Sequence, residues 1–183
     1  GLAKVGTIAL DGTKVKATAS RHKAMSSGHM PKAEAELKTQ IEALRNKARA
    51  ADEAEKNEPE LDIPAEIARR QDRLDAIAAA RARLEARQRD ADLERGRSDG
   101  DDNKPRGPDG KPKRGGPYKQ PFGVPEDKTQ DNFTDPDSRI MQHAGGGVQA
   151  SFHGPLAVDD PAHLTTAAGV HNNASDLRRV SRR

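Results

Sequence analysis

Cysteine is absent from the 183 residues, which excludes disulfides, zinc thiolates and a cysteine nucleophile. Tryptophan is absent as well, and one tyrosine and three phenylalanines bring the aromatic content to only 2%. That is too little to build the stacking platforms used on single-stranded nucleic acid. Apolar residues make up 32% of the chain, well below the usual content of a globular domain. A single core using the whole length is therefore not expected, and part of the chain must be solvated helix or disordered. No apolar run approaches the roughly 20 residues that span a bilayer, and no signal peptide is visible. The expected setting is cytoplasmic, without membrane contact.

Charge is plentiful: 33% of residues are Asp, Glu, Lys or Arg, with a net charge of +3. That balance permits nucleic-acid binding without demanding it. The chain opens on Gly1 and closes on Arg182-Arg183 just after a helix begins, so both ends read as cuts through something longer.

Val5 to Leu10 is a short β-branched run suited to a strand buried on both faces. Asp11-Gly12 is a turn signal, and Val15 to Ala19 reads as the returning strand of a hairpin. Residues 20–30 read as a basic loop. Pro31 suits the first turn of a helix. Leu37, Ile41, Leu44, Ala48 and Ala51 then recur at alternating spacings of four and three, an a/d stripe. Asn57-Glu58-Pro59-Glu60 interrupts it. A second helix starts at Pro64, with Ile63, Ile67, Leu74, Ile77, Leu84 and Ala91 on one seam. Arg70, Arg81 and Gln88 fall on that seam too. The two segments predict an antiparallel helical hairpin with a mobile tip.

Residues 96–131 are rich in Gly, Pro, Asp and Lys and read as a disordered linker. Its basic cluster of Lys111, Lys113, Arg114 and Lys119 has two readings, a phosphate contact or a solvated charge run, and the second is the commoner. Thr134-Asp135-Pro136-Asp137-Ser138 is turn chemistry with side-chain caps. Gly145-Gly146-Gly147 reads as a tight turn without the pattern of a P-loop. Val148–Val158 and Leu164–Val170 are candidate strands, and Ser175 is a candidate N-cap for a helix.

Chemistry has few candidates. Asp11 ends an apolar run, where a carboxylate is held rigidly and offered to Mg²⁺. An ordinary turn role is the alternative, and spacing alone favours the turn. Asp159-Asp160 is either a metal pair or a turn, with the turn favoured. The six histidines show no metal-ligand spacing, although His153 and His163 fall where a hairpin would oppose them. Ser151 and Ser175 have no general base at a recognisable spacing.

Taken in order, the motifs resemble a family. Asp11-Gly12-Thr13-Lys14 leads into Ala17-Thr18-Ala19-Ser20-Arg21-His22-Lys23-Ala24-Met25-Ser26. A long helical insertion follows. Then come Thr134-Asp135-Pro136-Asp137-Ser138-Arg139-Ile140-Met141, the run from Gln149 to Ala157-Val158-Asp159, and His171-Asn172-Asn173-Ala174-Ser175-Asp176. This series is similar to the middle of the catalytic domain of a bacterial insertion-sequence DDE transposase. The resemblance implies an α/β, partial ribonuclease-H-like domain. Residues 1–30 would form its first catalytic strand, 31–95 a helical-hairpin insertion, 96–131 the linker, and 132–183 a truncated continuation of the sheet.

The resemblance further implies that Asp11 is the first of three metal-binding carboxylates, with Mg²⁺ as cofactor. DNA would be the partner, both the terminal repeats and the target, with a homodimer on the DNA. Lys14, Lys16, Arg21, Lys23 and Arg139 are candidate DNA contacts. The second carboxylate is expected in a motif of the A-D-x-G-Y type and the third, a glutamate, further on; neither motif occurs here. The intact family enzyme cuts DNA and transfers strands, whereas this chain alone is expected to be inactive. The alternatives are a coiled-coil interaction protein built on 31–95 and a basic, partly disordered nucleic-acid binder.

Overall fold

The computed structural model describes residues 8–53, 62–101, 103–106, 111, 115–159 and 164–172. The fold mixes helix and antiparallel sheet and divides into two compact units, residues 1–24 with 132–183, and residues 25–131.

The first unit is built on one long strand. Strand β1 (Ile8–Lys16) pairs antiparallel with β5 (Val148–Asp159), from Ile8 opposite Asp159 to Lys16 opposite Ser151. Strand β4 (Arg139–Gln142) pairs with the start of β5, and β6 (Leu164–Ala168) with its end. The expected β5–β6 hairpin is present, with a register shift between Ala157 and Val158. The hairpin expected at Asp11-Gly12 is not: β1 runs unbroken through both residues. Gly12 is not among the glycines at positive φ, which a two-residue hairpin turn would need. The local turn signal loses to the nine-residue ladder that β5 offers.

Pro155, opposite Gly12, does not interrupt that ladder. Its carbonyl accepts from Gly169 N–H, so its backbone faces away from β1 and the missing donor falls where β6 has ended. Burial of the 5–10 run on both faces is also corrected, since Ala9 is exposed. Residues 5–7 lie outside the described set. The core is small, made of Ala17, Ala19 and Ala150 with Ile140 and Phe152 packed against them.

The turns match their chemistry. Asn132 Oδ1 accepts from Thr134 N–H at 2.9 Å, and Ser138 Oγ donates to the Asp135 carbonyl at 2.8 Å. Gly146 and Gly147, at φ 84° and 86°, close β4 onto β5. The stretch read as a basic loop contains two 3₁₀ turns, at Arg21–Lys23 and Ser27–His29, around a short strand β2 (Ala24–Ser26). β2 pairs with β3 (Gln130–Asn132), and within these two strands the chain passes from one unit to the other.

The second unit is dominated by α1 (Met30–Glu53) and α2 (Ile63–Glu94), which pack on each other. The expected α1 stripe holds: Ile41 is buried, and Leu37, Leu44, Ala48 and Ala51 are half-buried. On α2 the stripe drifts. Ile77, Ala80 and Leu84 are its buried apolar positions, while Arg81 points out and pairs with Glu85. A step of three after Ile77, then four, keeps the seam inward at the helix's 3.6-residue period. Arg70 stays on the seam because its guanidinium finds Gln40 Oε1 at 3.0 Å and Glu66 Oε2 at 2.5 Å. Asp62 caps α2 by accepting from Ala65 N–H at 3.0 Å, with Pro64 in the first turn. The hairpin tip falls outside the described residues.

The stretch expected as a disordered linker is, where described, held to α2 by polar contacts. Asp92 is fully buried and accepts from Gly123 N–H at 3.0 Å and Gln88 Nε2 at 3.1 Å. Asp131, also buried, accepts two bonds from Arg83, at 3.0 and 2.6 Å, and one from Arg87. The composition of this stretch suggests a free chain because it has few apolar residues, yet carboxylate-to-donor bonds hold its described parts instead.

Two predictions follow from these contacts. Asp131→Ala leaves two arginines without their shared carboxylate. As both are partly exposed and can rehydrate, the expected loss is about 1–3 kcal/mol, read as a lower urea midpoint. The second concerns acid. Hydrogen bonds from Arg70 to Glu66 and from Arg97 to Asp101 hold both carboxyls below their ordinary range. The folded state therefore binds fewer protons than the unfolded state as the pH falls. Their contribution is complete above the unfolded values, about 4, and is lost as pH falls through the lower folded ones. The urea midpoint should hold down to about pH 5 and drop below about pH 4, and Glu66→Gln with Asp101→Asn should shallow that drop.

Candidate functional site

Asp11 stands in the middle of β1, directly opposite Leu156 on β5. The ladder on that side fixes its backbone, and its carboxylate is exposed to solvent. One oxygen, Oδ1, accepts from Gly12 N–H at 2.8 Å. Side chains alternate along a strand, so Thr13 and Val15 share its face, together with Leu156 and Phe152 from β5. Val15 and Leu156 are 50% and 42% exposed. The site is thus one rigidly placed carboxylate on an open, largely apolar sheet face.

No group of three His, Asp or Glu side chains able to hold a metal forms among the described residues. Mg²⁺ usually takes one or two carboxylates and completes its shell with water and phosphate oxygens. Asp11 fits the part of one such ligand and does not by itself hold an ion. Asp159 closes β5 opposite Ile8, and Asp160 lies outside the described residues.

The candidate DNA contacts are placed unequally. Lys14 Nζ donates to the Gln142 carbonyl at 2.5 Å, which ties β1 to the end of β4. Lys16 closes β1, and Arg21 and Lys23 sit in the first 3₁₀ turn; all three are exposed. Arg139 donates to the Pro136 and Ser138 carbonyls at 2.7 and 2.8 Å, bracing the turn before β4.

Two contacts went unread in the sequence. His143 Nε2 lies 2.7 Å from Ser151 Oγ, joining the end of β4 to a fully buried position of β5. The β4–β5 register sets Ser151 opposite Arg139, so the histidine reaches it from the turn end of the hairpin, and no sequence spacing shows the contact. Ser151 is too buried to act as a nucleophile. His153 was expected opposite His163, but it pairs with His171 instead. The two residues exchange backbone hydrogen bonds at 2.7 and 2.8 Å, and their rings lie 5.0 Å apart. His163 is outside the described residues.

No family model, curated protein or solved structure matches the chain. No helix among the described residues is long and apolar enough to cross a membrane.

The exposure of Asp11 and the burial of Ser151 make opposite predictions. Asp11→Asn should leave stability within about 0.5 kcal/mol of the parent. Ser151→Ala should cost about 1 kcal/mol by removing the bond to His143. Urea unfolding of both variants checks the pair.

Proposed function

We propose that this chain carries the first-carboxylate portion of a DDE transposase catalytic domain, with Asp11 as the first metal ligand. The observation that carries this reading is the position of Asp11. It is solvent-facing on a first strand, and β5 and β6 continue antiparallel from that strand. Strand followed by two antiparallel strands is the order in which a ribonuclease-H-like sheet opens. The insertion between β1 and β4 holds the helical pair, and the Thr-Asp-Pro-Asp-Ser turn leads straight into β4.

On this reading the DNA-facing side of the unit is the face bearing Asp11. The intact enzyme would place two further carboxylates beside it to complete a Mg²⁺ site. It would bind terminal inverted repeats as a homodimer and then cut and join phosphodiesters. The 183-residue sequence has one ligand of the three, and its expected activity alone is none. The reading of 31–95 as a free coiled-coil surface is less favoured, since the apolar stripe of α1 is already turned against α2.

Two measurements test the proposal. Sequencing the DNA around the gene should reveal inverted repeats and a coding stretch with an A-D-x-G-Y-like motif; unrelated genes on both sides would sink it. Incubating the purified chain with a labelled duplex and Mg²⁺ should give no nicking. Nicking that disappears in Asp11→Ala would show that one carboxylate suffices and overturn the three-ligand account.

A further inference from the structure

The seam between α1 and α2 leaves the far side of α2 open. On a helix, positions spaced alternately by four and three fall on one side. Ala68, Asp72, Asp75, Ala79, Ala82 and Ala86 form such a line, and Arg89 and Leu93 extend it. All of them are exposed, Leu93 to 58%. The line stands opposite the buried side of the helix. Ala79 and Ala86 follow the buried Ile77 and Leu84 by two positions each, a rotation of about 200°.

The outward side of a surface helix normally carries its charged and polar residues. Here the middle of that side is apolar, in a chain of which 33% is charged. From Ala78 to Ala86, the outward positions 78, 79, 82 and 86 are all alanine and all exposed. The charges beside them have other partners: Arg81 pairs with Glu85, and Arg83 with Asp131. Methyl-sized side chains let a second helix approach to about 8 Å between axes.

The charges on the line say which helix fits it. Asp72 lies toward the N-terminal end and Arg89 toward the C-terminal end, and neither has an ion-pair partner among the described residues. The spacing reads the same in both directions from the midpoint between Ala79 and Ala82. A second α2 laid antiparallel therefore sets Ala79 against Ala82 of the second copy, and Asp72 against Arg89 of the second copy. Twofold symmetry repeats each pairing, so both aspartate–arginine pairs form together. Leu93 lands on Ala68 of the second copy. Asp75 meets Ala86 of the second copy and keeps the bond it accepts from Gln71 Nε2 at 3.2 Å. A parallel pair would oppose Asp72 to Asp72 and Arg89 to Arg89, so charge selects the antiparallel arrangement.

We propose that the outward side of α2 is a self-association surface, occupied by α2 of a second copy of this chain running antiparallel. The contact runs from Ala68 to Leu93, about 37 Å. Alanine contributes little apolar area, so the dimer is weak, with a Kd in the micromolar range. The two charge pairs fix its orientation more than its strength. The inference does not rest on the transposase reading: every residue it uses lies in the 25–131 unit, which does not contain Asp11.

The test is sedimentation equilibrium of the full 183-residue chain, without DNA, from about 5 to about 500 µM. The mass should rise from 19.7 kDa toward twice that value. Asp72→Arg places like charges at both pairs and should weaken association at least about tenfold, and Arg89→Asp should do the same. The exchange variant Asp72→Arg/Arg89→Asp rebuilds both pairs and should restore the dimer, which a merely misfolded helix would not do. A control on the exposed side of α1, Glu36→Arg, should associate like the parent.

The absence of native cysteine makes the pairing itself testable. An equimolar mixture of Ala79→Cys and Ala82→Cys chains should form a disulfide-linked dimer faster than either variant alone, because those two positions face each other across the twofold axis. A mass that stays at one chain over the whole concentration range overturns the proposal. So does a dimer indifferent to Asp72→Arg, an exchange variant that fails to recover, or a mixture that cross-links no faster than its components. Asp11→Asn should leave every one of these readings unchanged, so failure of the transposase reading and failure of this one are separable.

Discussion

The nine-residue ladder between β1 and β5 is the interaction on which the first unit depends. It joins residues 8–16 to residues 151–159 across more than a hundred residues of intervening chain. Closing so long a loop is less costly than its length suggests, because each doubling adds only about 0.6 kcal/mol of entropy. A chain can therefore carry a whole second unit between its first strand and the strands that complete the sheet. The ladder also explains why Asp11 is well placed. A residue in mid-strand has its backbone fixed by its neighbours, whereas one at a hairpin turn would move with the turn.

The second unit solves a different problem. With few apolar residues to bury, it places three charged side chains, Asp92, Arg97 and Asp131, in its interior. Each has a donor or acceptor of the right kind within reach: Gly123 N–H and Gln88 for Asp92, Asp101 and Asn103 for Arg97, Arg83 and Arg87 for Asp131. Buried charges add little net stability compared with apolar packing, yet removing one partner is costly. The same constraint shows at Gly123. At φ 72°, its hydrogen faces Arg89, where a Cβ would sit 2.6 Å from Cγ. The backbone comes this close to α2 because its N–H must reach Asp92.

What the sequence made legible follows the range of the interaction that decides it. Leu37, Ile41 and Leu44 announce their helix because the decisive contacts recur within a few residues. Pro64 announces the next helix for the same reason, while the Asp62 cap is seen only in the structure. The turn at 134–138 is equally local. Asp11-Gly12 was misread because its local preference for a turn competes with a partner about 140 residues away, and the ladder wins. His153 opposes His171 because Asp159 pairs with Leu164, a register that carries position 153 past the end of β6. The linker at 96–131 reads as free chain because composition counts apolar residues and does not count matched donors and acceptors. Asp11 itself emerged from the order of motifs around it and from nothing in its own spacing.

The surroundings of Asp11 carry the last step. One of its oxygens is occupied by Gly12 N–H, which limits how the carboxylate can turn, while the group remains open to solvent. An orientation set by strand and hydrogen bond is what a shared metal site requires of each ligand, since the ion demands near-octahedral angles. The same face also exposes Val15 and Leu156. If Asp11 is the ligand proposed above, the strand and the Gly12 N–H set the direction of its carboxylate before any ion arrives, and the rest of the coordination shell must come from other groups.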